Sequence, residues 1–478
     1  MTTTVTNTTS PPPTAGPVAP PSSVEDLIDP VTGIIRRVRE VLPQPRAPKS
    51  YVSLTAEVAD ARRLGEWPAD RVSLGTTFDD PQGAWIAAVG EAVERYCGNF
   101  IPRQPHPEFR EGTHTQLSSE GLPLIDLKNL PQYAEWQTAA PDFPYAGLDA
   151  DTPTLWTRCD DGTWLPSSLI HLNWRQSGFR HLPRTHHLNY AGIATGQDHA
   201  DARRRGLLEL VERHALETWW HLDLPTAGVD LASVPGLLDQ LAGCDLDCSL
   251  VVMPNEFAPA MAALVRDPVT GIHAAGFSAK LDPADAARKA VLEAVHTWVY
   301  SQGCVDADGW VFQAVQAGLM AEGLYLRHRQ DRRYLDDVGP RFSRVRDLGA
   351  HVQVWLDPRV HHLAARFTDP AYGTQRLDQL QSSRWVSELG AGMGRCGGAA
   401  TQNDVETVDA RLAARGHRVL TKDLTTDDIA ETPLRVVRTF VTGLVPNAPA
   451  AFGYFGCEAL GGGLLAPEQL TLTPPPHM

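Results

Sequence analysis

Apolar positions recur at helical spacing in two Ala- and Leu-rich stretches. Trp85, Val89, Ala92, Val93 and Tyr96 form one stripe, with Glu91, Glu94 and Arg95 on the opposite side. Further on, Leu207, Leu210, Val211 and Thr218 mark a packed side, with Asp201, Glu209, Glu212 and Arg213 opposite. A short β-rich run and a glycine precede each stretch. RVSLGTTF leads into a helix with Asp80 as N-cap and Pro81 in the first turn, where its missing N–H costs nothing. A third unit spans 271–302, its helix starting near Asp282 and Pro283. Three strand–turn–helix units predict an α/β (α+β layered) fold with quasi-repeated elements. Strands are also expected at the start of YVSLTAEVADARRL, in HVQVWLDP (351–358) and in RVVRTFVTGLVP. WVSELGAGMG (385–394) and VETVDARLAARG read as helices or helix ends closed by glycine.

Residues 1–24 are rich in Thr, Pro and Ser and predict a disordered tail. The main domain is expected over 25–470. Within it, 102–185 is rich in Pro, Trp, His and Asp and reads as a loop-rich insertion over the site. Residues 471–478 form a Pro-rich C-terminal tail.

The pattern Glu-x-x-Glu-Arg occurs twice, as Glu91, Glu94, Arg95 and as Glu209, Glu212, Arg213. This spacing puts two carboxylates and a guanidinium on adjacent rows of one helix face. A solvated charged stripe is the ordinary explanation for such a face. If the two faces turn toward each other, they collect five carboxylates (with Asp201) and two arginines. Such a cluster repels itself unless a cation sits inside it, and Mg²⁺ holding nucleotide phosphates is the natural candidate.

Composition narrows the picture. A 42% apolar fraction supports a folded globular chain. The net charge of −15 argues against nucleic-acid or anionic-membrane binding. Lysine is confined to Lys49, Lys128, Lys280, Lys289 and Lys422, which reads as codon bias. The seven cysteines include no Cys-x-x-Cys pair, and Cys244 with Cys248 alone do not make a zinc site. Reduced thiols, no secretory h-region and no spanning apolar run predict a cytoplasmic protein. No Gly-x-x-x-x-Gly-Lys-Ser/Thr loop, His-Glu-x-x-His or Gly-x-Ser-x-Gly occurs. Gly390, Gly392 and Gly394 follow a helical stretch, which disfavours a dinucleotide loop. The pairs His186–His187 and His361–His362 read as surface or core histidines, because sequence neighbours rarely face one metal.

Together these segments resemble the YcaO superfamily, and within it the D-type cyclodehydratases that form azolines in ribosomal peptides. The resemblance covers roughly 30–478. AAVGEAVERYCG is similar to the family's Ser-x-x-Glu-x-x-Glu-Arg signature. GIATGQDHADARRRGLLELVERHA is similar to the second signature, and AVLEAVHTWVYSQ to a helix carrying Glu-x-x-Gln. DLTTDDIAE, the Val436–Arg438 strand and the Pro-rich terminus also fit. The resemblance implies an ATP-binding fold without a phosphate loop and ATP and Mg²⁺ as cofactors. It implies metal roles for Glu91, Glu94, Glu209 and Glu212. Arg95, Gln197, Asp201, Arg213, Glu293 and His296 would line the nucleotide. The tail residues Pro474, Pro475, Pro476 and Met478 would reach the reacting centre. The chain departs from the pattern at Ala88, Ala194, Gln197, Asp201 and His296. Its glycine turn at 73–77 also lacks a lysine, and the chain ends in PPPHM rather than an alternating proline form. The implied activity is ATP-driven cyclisation of Cys, Ser or Thr in a precursor peptide to thiazoline or oxazoline. Thioamide or amidine formation, or a non-catalytic scaffold, are the alternatives. No winged-helix leader-binding segment is evident, so a separate leader-recognition or E1-like partner of the ocin-ThiF type is expected. Homodimers are usual in the family.

Overall fold

The computed structural model describes residues 23–59, 72–102, 104–176, 178–318, 320–321, 323–382 and 405–478. Most of the expected N-terminal tail, the expected helix or helix end at 385–394 with its glycines, and Cys396 lie outside these residues. The first unit runs through strands β1 (Ile35–Glu40), β2 (Tyr51–Val58) and β3 (Val72–Phe78) into helix α1 (Pro81–Asn99). Strands β4 (Phe109–Gly112), β5 (Thr154–Arg158) and β6 (Trp164–Pro166) follow. The second unit is β7 (Ile193–Gly196) and α2 (His199–His221). The third comprises β8 (Gly228–Val229), β9 (Asp247–Val252), β10 (Ala260–Arg266) and β11 (His273–Ala279), then α3 (Pro283–Gln302). Beyond it lie α4 (Gly349–Trp355), β12 (Thr374–Gln375), α5 (Val405–Ala414), β13 (Val419–Asp423) and β14 (Arg435–Val441).

Each of the three long helices is capped by an aspartate. Asp80 accepts from Gly83 N, Asp198 from Asp201 N, and Asp282 from Ala284 N and Asp285 N. The strands form sheets β1-β2-β3, β13-β14-β7, β4-β5-β6 and β11-β10-β9-β8-β12. The segment 73–77, expected as a glycine turn, is strand. Its glycine answers a packing constraint, not a turn. A Cβ on Gly75 would stand 1.9 Å from Ala84 O, and one on Gly276 would stand 2.1 Å from Ala294 N. Gly196 meets the backbone of Ala202 in the same way. In each unit the helix lies directly on the strand that leads into it.

The helices also touch the next unit. Helix α1 contacts β3 and β7, α2 contacts β7 and β11, and α3 contacts β11 and β3. The three units therefore close into a ring, with Tyr51 Oη bonded to His296 Nδ1 at 3.0 Å across the last seam. The main core joins α2, α3 and the five-stranded sheet through Trp219, Trp220, Phe277, Trp298 and Trp355. In the segment 102–185, Trp156, Trp164, Ile170 and Leu172 pack with Val93 and Cys97 of α1 and with Ile193, Val436 and Phe440.

HVQVWLDP is not a strand. It forms α4 and the residues after it. Gly349 through Trp355 are all buried, so its polar residues do not mark a solvent face. Gln353 bonds both Leu326 N and Leu326 O at 2.9 Å, and His351 Nε2 accepts from Ala450 N at 3.0 Å. Alternation here records satisfied core groups, which a period-two reading mistakes for an exposed edge.

The C-terminal tail lies in a groove made by α2, α4 and β11. Prolines have no N–H to donate, so the tail offers mainly carbonyls, and the groove answers with donors. His221 Nδ1 bonds Thr471 O at 2.6 Å, Trp220 Nε1 bonds Thr473 O at 2.7 Å, and Trp355 Nε1 bonds Pro474 O at 2.7 Å. Ala275 N donates to Pro476 O at 2.6 Å. Pro474 through His477 are buried, and Met478 packs against the main core.

Two stability predictions follow from this packing. Gly276→Ala should lower unfolding free energy by about 1–3 kcal/mol or more, because backbone atoms must move to admit the methyl. Trp355→Phe should cost about 1–3 kcal/mol by leaving a buried Pro474 carbonyl without its donor. Denaturant midpoints measure both; unchanged midpoints would refute the packing described.

Candidate active site

Four glutamates of α1 and α2 are each oriented by one backbone N–H. Leu74 N donates to Glu91 Oε2 at 3.0 Å, and Thr195 N to Glu94 Oε1 at 2.8 Å. Gly192 N donates to Glu209 Oε2 at 3.0 Å, and Ala279 N to Glu212 Oε2 at 3.2 Å. The arrangement repeats. The first glutamate of each pair binds the segment before its own helix. The second, three residues on, binds the strand of the following unit. The i, i+3 spacing thus lets one helix grip two strands.

The arginines complete each set. Arg95 Nη2 lies 3.0 Å from Glu91 Oε1, and its guanidinium sits 4.0 Å over the Tyr190 ring. Arg213 Nη1 lies 3.2 Å from Glu212 Oε1, and its Nη2 lies 3.8 Å from Glu209 Oε1. Arg213 Nε is buried and has no hydrogen-bond partner among the described residues.

The electrostatics show that these groups share one region. Burial pushes the Glu94 carboxyl up to about 8; Arg95 opposes this, while Glu209 and Glu91 add to it. Burial also raises Glu212, with Glu209 and Glu293 adding to the effect and Arg213 and Lys280 opposing it. Glu293 of α3 is exposed to the same desolvation, but Lys289 and His296 outweigh it and hold the carboxyl down at about 2. Burial lowers His296 while the charge of Glu293 opposes this, and its Nδ1 lies 3.0 Å from Tyr51 Oη. The two predicted acidic faces, with α3 as a third, therefore face one another.

Gln197 and Asp201 stand apart from this group. Asp201 pairs with Arg205 Nε at 3.0 Å and with Arg204, and it accepts from Gln197 N at 3.3 Å. It lies two turns before Glu209, about 12 Å along the helix axis. The tail prolines approach the cluster only through their neighbour: His477 Nε2 lies 3.4 Å from Arg213 Nη1.

Sequence reasoning missed three groups. Lys280 follows the residue that anchors Glu212, and Lys289 precedes Glu293 by one helical turn and pairs with it. Reading lysine scarcity as codon bias hid both; an i, i+4 search from Glu293 would have found Lys289. Arg438, fully buried on β14, donates to Ile170 O, Ala191 O and Asn189 O at 2.9, 2.6 and 2.7 Å, and feels the charge of Glu209. No local signal distinguishes it from a strand-edge arginine.

The donor set fits Mg²⁺ and a polyphosphate. Hard carboxylate oxygens with fixed orientation suit Mg²⁺, which takes one or two carboxylates and completes its shell with phosphates and water. Among the described residues, no three His, Cys, Asp or Glu side chains converge on a single point, as that division of ligands allows. The unpartnered Arg213 Nε lacks an acceptor such as a phosphate oxygen, and the desolvated Glu94 carboxylate would be stabilised by a cation. No helix among the described residues is long and apolar enough to cross a membrane.

A family model described as YcaO cyclodehydratase, ATP- and Mg²⁺-binding, matches residues 76–445. The chain is similar to a solved heterocyclase in complex with substrate and cofactor, with TM-score 0.61 and 21% identity over 95% of this chain and 56% of that one. It is also similar to the heterocyclase TruD, with TM-score 0.49 and 20% identity over 82% of this chain and 50% of that one. The E. coli microcin synthetase McbBCD complex matches with TM-score 0.50 and 12% identity, over 92% of this chain and 96% of that one. The chain spans about half the length of the first two, and at such identities the likeness is one of fold. No curated protein matches. The family match runs across most of the sequence and over both converging Glu-x-x-Glu-Arg helices, and the chain belongs to the YcaO cyclodehydratase family, whose cofactors are ATP and Mg²⁺.

Proposed function

We propose that this protein is an ATP-dependent cyclodehydratase that converts Cys, Ser or Thr of a ribosomally made peptide into thiazoline or oxazoline. One observation carries the reading: Glu209, Glu212 and Glu293 lie around Arg213, Glu91 and Glu94 lie with Glu209 on the other side, and Glu91, Glu94, Glu209 and Glu212 are each oriented by a backbone N–H. That is the preorganisation expected of a metal–phosphate site, where positioning and charge neutralisation supply most of the rate.

Bound Mg-ATP supplies the phosphoryl group that turns the amide oxygen into a leaving group once the side chain has attacked the preceding carbonyl. The chain's own residues hold that reagent. Glu91, Glu94, Glu209 and Glu212 are the Mg²⁺ ligands in this reading. Arg95, Arg213, Lys280 and Lys289 balance phosphate charge, and Gln197, just before α2, and Asp201, in its first turn, serve the nucleoside end. Glu293 and His296 close the third side.

The seated tail favours azoline formation over thioamide or amidine chemistry, since a Pro-rich terminus is a trait of azoline-forming relatives; here Pro474, Pro475, Pro476 and Met478 flank His477, which meets the arginine of the second set. The peptide would be delivered by a separate leader-recognition or E1-like protein, in line with the multi-component McbBCD neighbour.

Glu212→Gln keeps an acceptor for Ala279 N but removes a charge, so turnover should fall by about a hundredfold or more while the melting temperature holds. Parent-rate cyclisation by that variant would refute the site. Mg-ATP at a hundred times its dissociation constant should stabilise the protein by about 2.7 kcal/mol, and ATP with excess chelator should not. Mass spectrometry of the peptide product should show loss of one water per ring; an oxygen-to-sulfur exchange would instead mean thioamidation.

A further inference from the structure

His477 is buried near the end of the C-terminal tail. Its Nδ1 lies 3.1 Å from Ala275 O and 3.3 Å from Thr297 Oγ1, and its Nε2 lies 3.4 Å from Arg213 Nη1. A backbone carbonyl only accepts, so Nδ1 carries the proton and Nε2 presents a lone pair to the guanidinium. Burial and the neighbouring Arg213 push the imidazole down to about 3, which keeps it neutral and able to accept.

The rest of the tail fixes this ring in place. Trp220 and Trp355 hold the carbonyls of Thr473 and Pro474, Ala275 N holds that of Pro476, and three prolines restrict the backbone between them. The two arginines of the paired sets therefore have different supports. Arg95 rests on the ring of Tyr190. Arg213 is held by Glu212 and Glu209 on one side and by His477 on the other, with its Nε unpartnered.

We propose that His477 is a positioning residue for the nucleotide site, accepting a hydrogen bond from Arg213 and holding its guanidinium so that the free N–H meets a phosphate oxygen. The inference rests on the nucleotide reading of this site. The tail would act there by completing an arginine, with no requirement that it touch the peptide.

Equilibrium binding of Mg-ATP to full-length protein, measured by calorimetry beside a melting curve, tests this. His477→Phe fills the space but has no acceptor, and Mg-ATP should bind about tenfold more weakly. His477→Gln restores an acceptor at similar reach and should bind within about twofold of the parent. Phe binding as tightly as the parent overturns the inference, as does equal weakening by Phe and Gln, which would point to packing alone. A parent chain that binds no Mg-ATP removes the nucleotide reading and this inference with it. A parent that binds while His477→Phe is unchanged removes only the inference.

Discussion

The site depends on hydrogen bonds between glutamate side chains and strand N–H groups. Such a carboxylate cluster is unfavourable, since Glu94 and Glu212 are desolvated beside like charges. Each glutamate is retained in place because one oxygen is bonded to backbone that cannot rotate away. These bonds join helices to strands of their own and of the next unit. The same contacts that aim the ligands therefore also close the ring of three units. Fold and site share one set of interactions, which explains how a metal–phosphate site arises here with no glycine-rich phosphate loop.

Close approach is the second constraint. A helix can place glutamates within reach of strand N–H groups only if its axis lies near the sheet. Gly75, Gly196 and Gly276 remove the side chain that would hold each helix off. The aspartate caps then set where each helix starts, and so the phase with which its carboxylates meet the strands. A shift of one residue would rotate each acidic pair by about 100° and break the register with Leu74, Thr195, Gly192 and Ala279.

The tail brings a different chemistry to the same place. A proline segment has few donors, so it can be held only by a groove of donors, and the indoles of Trp220 and Trp355 with the imidazole of His221 provide one. Long-range contacts of this kind carry the last residues of the chain beneath α2. The C-terminus is thereby a structural part of the acidic site.

The sequence by itself determined the local units. Helical period, the Asp80 and Asp282 caps and Glu-x-x-Glu-Arg spacing were enough to mark out α1, α2 and α3 and to single out Glu91, Glu94, Glu209 and Glu212, because these signals act within a few residues; Glu293 came only with the family resemblance. Local reading failed where burial replaced amphipathicity, as at 349–355, and where a glycine served packing, as at Gly75. Only the tertiary structure decided that the acidic faces converge, that Asp201 stands apart with its own arginines, and that Lys280, Lys289, Arg438 and His477 belong beside the glutamates. Those placements follow from contacts between residues up to hundreds of positions apart, and no periodicity along the chain encodes which buried backbone groups will need a partner.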